Sequence, residues 1–124
     1  MINTVIRNML LDNANIKSYV NNRIYYLYLP QDVVLPAISF FLVSNFRHHD
    51  IDVTRPRFQF DCWATSLSTA KSLADEVRKT FQREKGVYYG TSIIQGIYIT
   101  EQEFYETDTK IYHVTIDMYM IYKD

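Results

Sequence analysis

The residues best equipped for chemistry lie in one short segment, His48-His49-Asp50-Ile51-Asp52, with Arg55 three positions further on. Imidazole and carboxylate are the donor types of zinc and other divalent-metal sites. The spacing argues against such a site. Adjacent side chains on an extended chain point to opposite sides. No second cluster in the sequence offers ligands at a matching interval. The segment reads as a polar hairpin loop, and no metal is expected.

Nucleophilic catalysis would need a nucleophile, a base and an orienting group in one place. Cys62 is the lone cysteine, so no internal disulfide can form, and His113 is the one histidine outside the loop. The stretch RFQFDCWATS alternates, which puts Cys62 with Phe58, Phe60 and Ala64 on an apolar side, where a thiol serves as a small hydrophobe. His113 alternates with the apolar residues of its own strand, so the two groups point apart. Glu101 and Glu103 resemble a carboxylate pair, but two positions apart on a surface strand they read as solvated charges. No nucleotide-cradle, HExxH or CxxC pattern occurs. No catalytic residue and no cofactor is expected, and the chain is not read as an enzyme.

The other side of RFQFDCWATS carries Arg57, Gln59, Asp61 and Trp63. Nucleic-acid readers interleave aromatic and basic groups on a sheet, but here Asp61 interrupts the pattern. The formal net charge of -1 supplies no basic field either. A small sheet-based module that binds a peptide or nucleic acid remains the alternative.

These side chains need a sheet with helices behind it. Val5, Ile6, Met9 and Leu10 have helical spacing, with Asn3 or Thr4 as caps, and Ile16 to Val20 add a short turn. Arg23 to Tyr28 reads as a strand, Pro30 and Pro36 bracket an extended loop, and Ala37 to Phe46 reads as a central strand. Thr65 or Ser66 caps a long helix over about 66–85, with Leu67, Ala70, Leu73, Ala74, Val77 and Phe81 in one stripe and Gly86 as its stop. Lys71-Asp75 and Asp75-Lys79 form pairs along its wet side. Ile93 to Tyr105, bulged at Gly96, and Lys110 to Tyr122 make a final hairpin with Glu106 to Thr109 at its tip. The class is α+β: a mainly antiparallel sheet with the long helix and an N-terminal helix packed on one face. The 124 residues fit one domain, 1–124. The start of the chain does not read as a signal peptide, and no apolar run reaches the ~18 residues of a membrane span. Eleven tyrosines lean towards a sheet that touches something.

Several fragments in order carry a family resemblance: Arg23-Ile24-Tyr25, Pro30-Gln31 and Leu35-Pro36-Ala37-Ile38 come first. Arg57-x-Gln59-x-Asp61-x-Trp63-Ala64 follows, and then a helix with Ala70, Leu73-Ala74, Val77 and Arg78. From Val20 to Phe81 the chain resembles the tail completion (tail terminator, or tail-to-head joining) proteins of long-tailed bacteriophages. The resemblance implies a structural virion protein at the head-proximal end of the tail, assembled in the host cytoplasm. It implies a ring of usually about six copies that caps the tail tube and joins it to the head connector or stopper. The partners implied are the protein itself, the tube protein and the connector; no membrane is involved, and DNA only passes through the lumen. On this reading Arg57, Gln59, Asp61 and Trp63 form a subunit interface or face the lumen, with contact preferred. The loop His48, His49, Asp50, Asp52 and Arg55 and the tip with Glu106 and Asp108 reach to neighbouring proteins.

Overall fold

The computed structural model describes residues 1–48 and 52–123. Three helices, α1 (Ile2–Asp12), α2 (Ala14–Val20) and α3 (Leu67–Phe81), accompany eight strands among those residues. The strands are β1 (Ile24–Tyr26), β2 (Ala37–Ser44), β3 (Arg47–His48), β4 (Val53–Thr54), β5 (Arg57–Ala64), β6 (Gly86–Tyr88), β7 (Thr91–Glu106) and β8 (Ile111–Lys123).

Across the sheet the strands run β1-β2-β5-β8, with β7 on the far side of β8 and β6 outside β7. Among the described residues β1 and β2 pair in parallel and the other strand pairs are antiparallel. β3 and β4 extend the β2–β5 hairpin past a break at Asn45-Phe46 and Arg55-Pro56, which the Arg55 N–H to Phe46 carbonyl bond (2.7 Å) spans. Ala37, Trp63, His113 and Phe104 lie in one row across the sheet. That end, with the β7–β8 turn, is the upper end. The β3–β4 hairpin marks the lower.

Alternation sets the two faces. Phe58, Phe60, Cys62 and Ala64 of β5 pair with Met118, Ile116, Val114 and Tyr112 of β8. All but the half-buried Tyr112 are fully buried, under α3. Phe60 stacks on Phe40 (5.6 Å) and on Phe81 of α3 (5.3 Å), so strand and helix share one aromatic cluster. The helices occupy this face, as the α+β reading requires.

Several local expectations change. Met1, not Asn3 or Thr4, is the N-cap of α1, and it makes no side-chain cap bond. Asn13 caps α2 through its side chain, and Ser66 rather than Thr65 caps α3. Leu67 opens the helix at its exposed end instead of joining the apolar stripe. α3 stops at Phe81, short of Gly86, which instead opens β6. The stop is tertiary: the Arg83 N–H donates to the Gly96 carbonyl (2.9 Å), seating the helix end on β7. The bulges of β7 fall on either side of Gly96, between Ile93 and Gln95 and between Tyr98 and Thr100. Lys71 reaches across to Glu101 (3.4 Å) and Glu103 (2.6 Å), so that carboxylate pair is bridged by an ammonium, and Lys79 pairs with Glu76 instead of Asp75.

Candidate functional site

The second face of the sheet carries no helix, yet its central polar groups are buried by one another. Asp61, Asp117, Ser39 and Thr115 are each at most 7 % exposed. Pairing lines Ser39, Asp61 and Thr115 up across three strands, with Gln59 opposite Asp117 and Arg57 opposite Tyr119. The Thr115 hydroxyl donates to the Asp61 carboxylate (2.6 Å), and the Gln59 amide donates to it as well (3.2 Å). Arg57 places Nε (3.0 Å) and Nη2 (2.6 Å) on one oxygen of Asp117, and that carboxylate raises the guanidinium's pKa. The Trp63 indole N–H donates to Ser39 Oγ (2.9 Å). Buried polar groups are retained only when bonded in this way.

Arg57, Gln59, Asp61 and Trp63 are therefore brought together, but each spends its bonding on another residue of the same face. Sequence reasoning missed Ser39 and Thr115 as partners. The available signal was alternation in β8, where His113, Thr115, Asp117 and Tyr119 fall opposite the apolar set. At the upper end His113 sits between Trp63 (4.2 Å between ring centres) and Phe104 (4.8 Å). Its Nδ1 is buried without a hydrogen bond, and Glu106 at 3.6 Å is too distant to make one. At the lower end the Arg55 guanidinium lies over the Tyr119 ring, 4.3 Å from its centre, beside a groove of about 470 Å³ lined by Ser44, Asn45 and Phe46.

The reaching elements are separated. The main chain of His48 belongs to β3, Asp52 pairs with Arg47, and Arg55 sits in the break rather than in the loop. His49 and Asp50 lie outside the described residues. Glu106 ends β7 and Asp108 lies in the exposed turn beyond it, at the opposite end of the sheet from the β3–β4 hairpin.

The family profile of Tail completion protein gp17 matches residues 4–123. The chain belongs to this tail completion family. No curated protein sequence matches it. Its fold is similar to a chain in the virion of native gene transfer agent (GTA) particle, with a TM-score of 0.76 at 11% identity, covering 96% of this chain and 92% of that one.

A tail completion protein is a structural component of the virion tail. Among the described residues, no three His, Cys, Asp or Glu side chains converge as metal ligands. Cys62 is fully buried and faces away from His113. Burial, with the nearby Asp61 and Glu101 charges, pushes its thiol pKa well above the ordinary value, which keeps it a protonated, poor nucleophile. Iodoacetamide is expected to leave the native protein unmodified at mildly alkaline pH and to label Cys62 only after denaturation. Rapid labelling of the folded protein would show that β5 opens.

Proposed function

We propose that the protein works as a ring of roughly six copies that closes the finished tail tube and joins it to the head connector. The observation that carries this reading is the distribution of exposed apolar side chains. At the β1 edge Leu27 and Tyr28 are 63% and 70% exposed; at the β6 edge Val87 and Tyr89 are 73% and 57% exposed. Two unlike patches on opposite edges of one sheet are what a head-to-tail contact needs. Such a contact closes into a ring when its rotation divides the circle.

With the ring axis roughly along the strands, the β3–β4 hairpin lies at one rim and the Glu106–Asp108 turn at the other. One then meets the tube and the other the connector. The helix-free face turns to the lumen. Sequence alone favoured subunit contact for Arg57, Gln59, Asp61 and Trp63, but bonding within the face supports the lumen. This face carries charges of both signs, Arg55, Arg57 and Lys123 with Asp61, Asp117 and Glu106, so passing DNA meets no uniformly basic surface to hold it. Electron microscopy of virions carrying a tagged copy tests the assignment. Label is expected at the head-proximal end of the tail; label elsewhere, or none in the virion, would overturn it.

A further inference from the structure

We propose that the groove beside Arg55, at the lower end of the sheet, docks an acidic segment of a neighbouring virion protein. One carboxylate of that segment sits on the Arg55 guanidinium, and an adjoining apolar side chain covers Phe46. The inference rests on the ring reading for the source of the segment; its chemistry belongs to the groove itself.

The groove exists because the sheet is interrupted there. β2 ends at Ser44 and β3 begins at Arg47, while β4 ends at Thr54 and β5 begins at Arg57. Asn45-Phe46 and Arg55-Pro56 therefore stand outside the ladder, but they are held. The Arg55 N–H donates to the Phe46 carbonyl (2.7 Å), and the Met120 N–H of β8 donates to the Pro56 carbonyl (2.9 Å). With its main chain fixed, Arg55 lays its guanidinium over the Tyr119 ring, 4.3 Å from the centre. A ring under one face of a guanidinium leaves the in-plane N–H groups for an acceptor, and a carboxylate fits that fork. A cation positioned before binding gives up little side-chain freedom when the partner arrives.

The two arginines near Tyr119 differ in what they have left to bind. Arg57 spends Nε and Nη2 on Asp117. Among the described residues no carboxylate lies within ion-pair distance of Arg55. Asp52, the acidic residue before it in the chain, pairs with Arg47. Lys123, opposite Val53, adds a further cation at this end. Negative charge is what the groove lacks.

Its walls specify what accompanies that charge. Phe46 is 60% exposed, and Ser44 and Asn45 add a hydroxyl and an amide around a space of about 470 Å³. An exposed phenyl ring next to an uncompensated guanidinium suits an acidic residue followed by an apolar one. A DNA duplex presents phosphate and sugar and would leave Phe46 in water, so the apolar wall points to protein. Within a ring every copy holds its Glu106–Asp108 turn at the opposite rim, so that acidic turn of a second copy stays out of reach.

An NMR titration of the ¹⁵N-labelled protein tests this, with an end-capped peptide of alternating glutamate and leucine as the probe. The Arg55 Nε–H and the Asn45 and Phe46 amide signals are expected to move together and to saturate. The peptide with glutamine for glutamate is expected to bind at least tenfold more weakly. Arg55→Gln is expected to weaken the glutamate peptide by a similar factor, while an unmoved Trp63 indole signal shows the fold intact. Equal binding of the two peptides, unchanged binding to Arg55→Gln, or tighter binding of a short DNA duplex would overturn the proposal. None of these results touches the ring, which stands or falls with the position of the label in the virion.

Discussion

Gly96→Ala is expected to lower the melting temperature by roughly 10 °C, the consequence of about 3 kcal/mol of lost stability in a chain of this length. A methyl group at Gly96 would stand 1.9 Å from the carbonyl oxygen of Phe81 and 2.8 Å from its carbonyl carbon. Those atoms belong to the last turn of α3, so no side-chain rotation relieves the clash. The helix end must lift from β7, loosening the Arg83 N–H to Gly96 carbonyl bond and disturbing Phe81 in the aromatic cluster. Gly90→Ala is the control. Nothing lies within 4 Å of a methyl group there, but the backbone has φ +81°, so the cost is about 1 kcal/mol of local strain. Thermal unfolding followed by circular dichroism separates the two. If both variants melt together, the helix end does not rest on Gly96.

The second large effect concerns Asp61. Removing its carboxylate in Asp61→Ala strands the Thr115 hydroxyl and the Gln59 amide, and costs about 2 kcal/mol, since a charged acceptor is lost from a buried site. Thr115→Val alone removes one donor and costs about 1 kcal/mol. The double variant is expected to be less destabilised than the two losses added, because no hydroxyl is then left unpaired. Urea titrations of the four proteins give this coupling directly. Strict additivity would mean that Asp61 and Thr115 are solvated independently and that the face is not a bonded unit.

What the sequence made legible follows the range of the forces involved. α3 and the paired strands β5 and β8 were readable because each residue's burial follows from its own period, 3.6 or 2.0. The end of α3 was not, because Gly96 stops it from fifteen residues beyond Phe81, and nearby Gly86 offered a plausible local stop instead. β3, β4 and β6 are two or three residues each, too short to show a period. Arg57, Gln59, Asp61 and Trp63 were found as a set by their spacing. Their partners Ser39 and Thr115 were not, nor was the pairing of Arg57 with Asp117, because cross-strand register decides them and alternation alone does not fix register. For the same reason the ring reading came with a choice between contact and lumen. That choice depended on whether the face bonded to itself.

The β5–β8 pairing has a further consequence, for the order in which the chain folds. β2–β5 and β7–β8 are hairpins whose strands close short segments, whereas Arg57 to Ala64 must find Tyr112 to Tyr119 across some fifty intervening residues. Loop closure makes that meeting the entropically expensive one, so two locally zipped units form early and dock late along a single seam. The Thr115 to Asp61 and Arg57 to Asp117 bonds lie across this seam. An offset of one residue would put both carboxylates against the apolar side, so the polar pairs act as a proofreading step on docking as well as a finished surface.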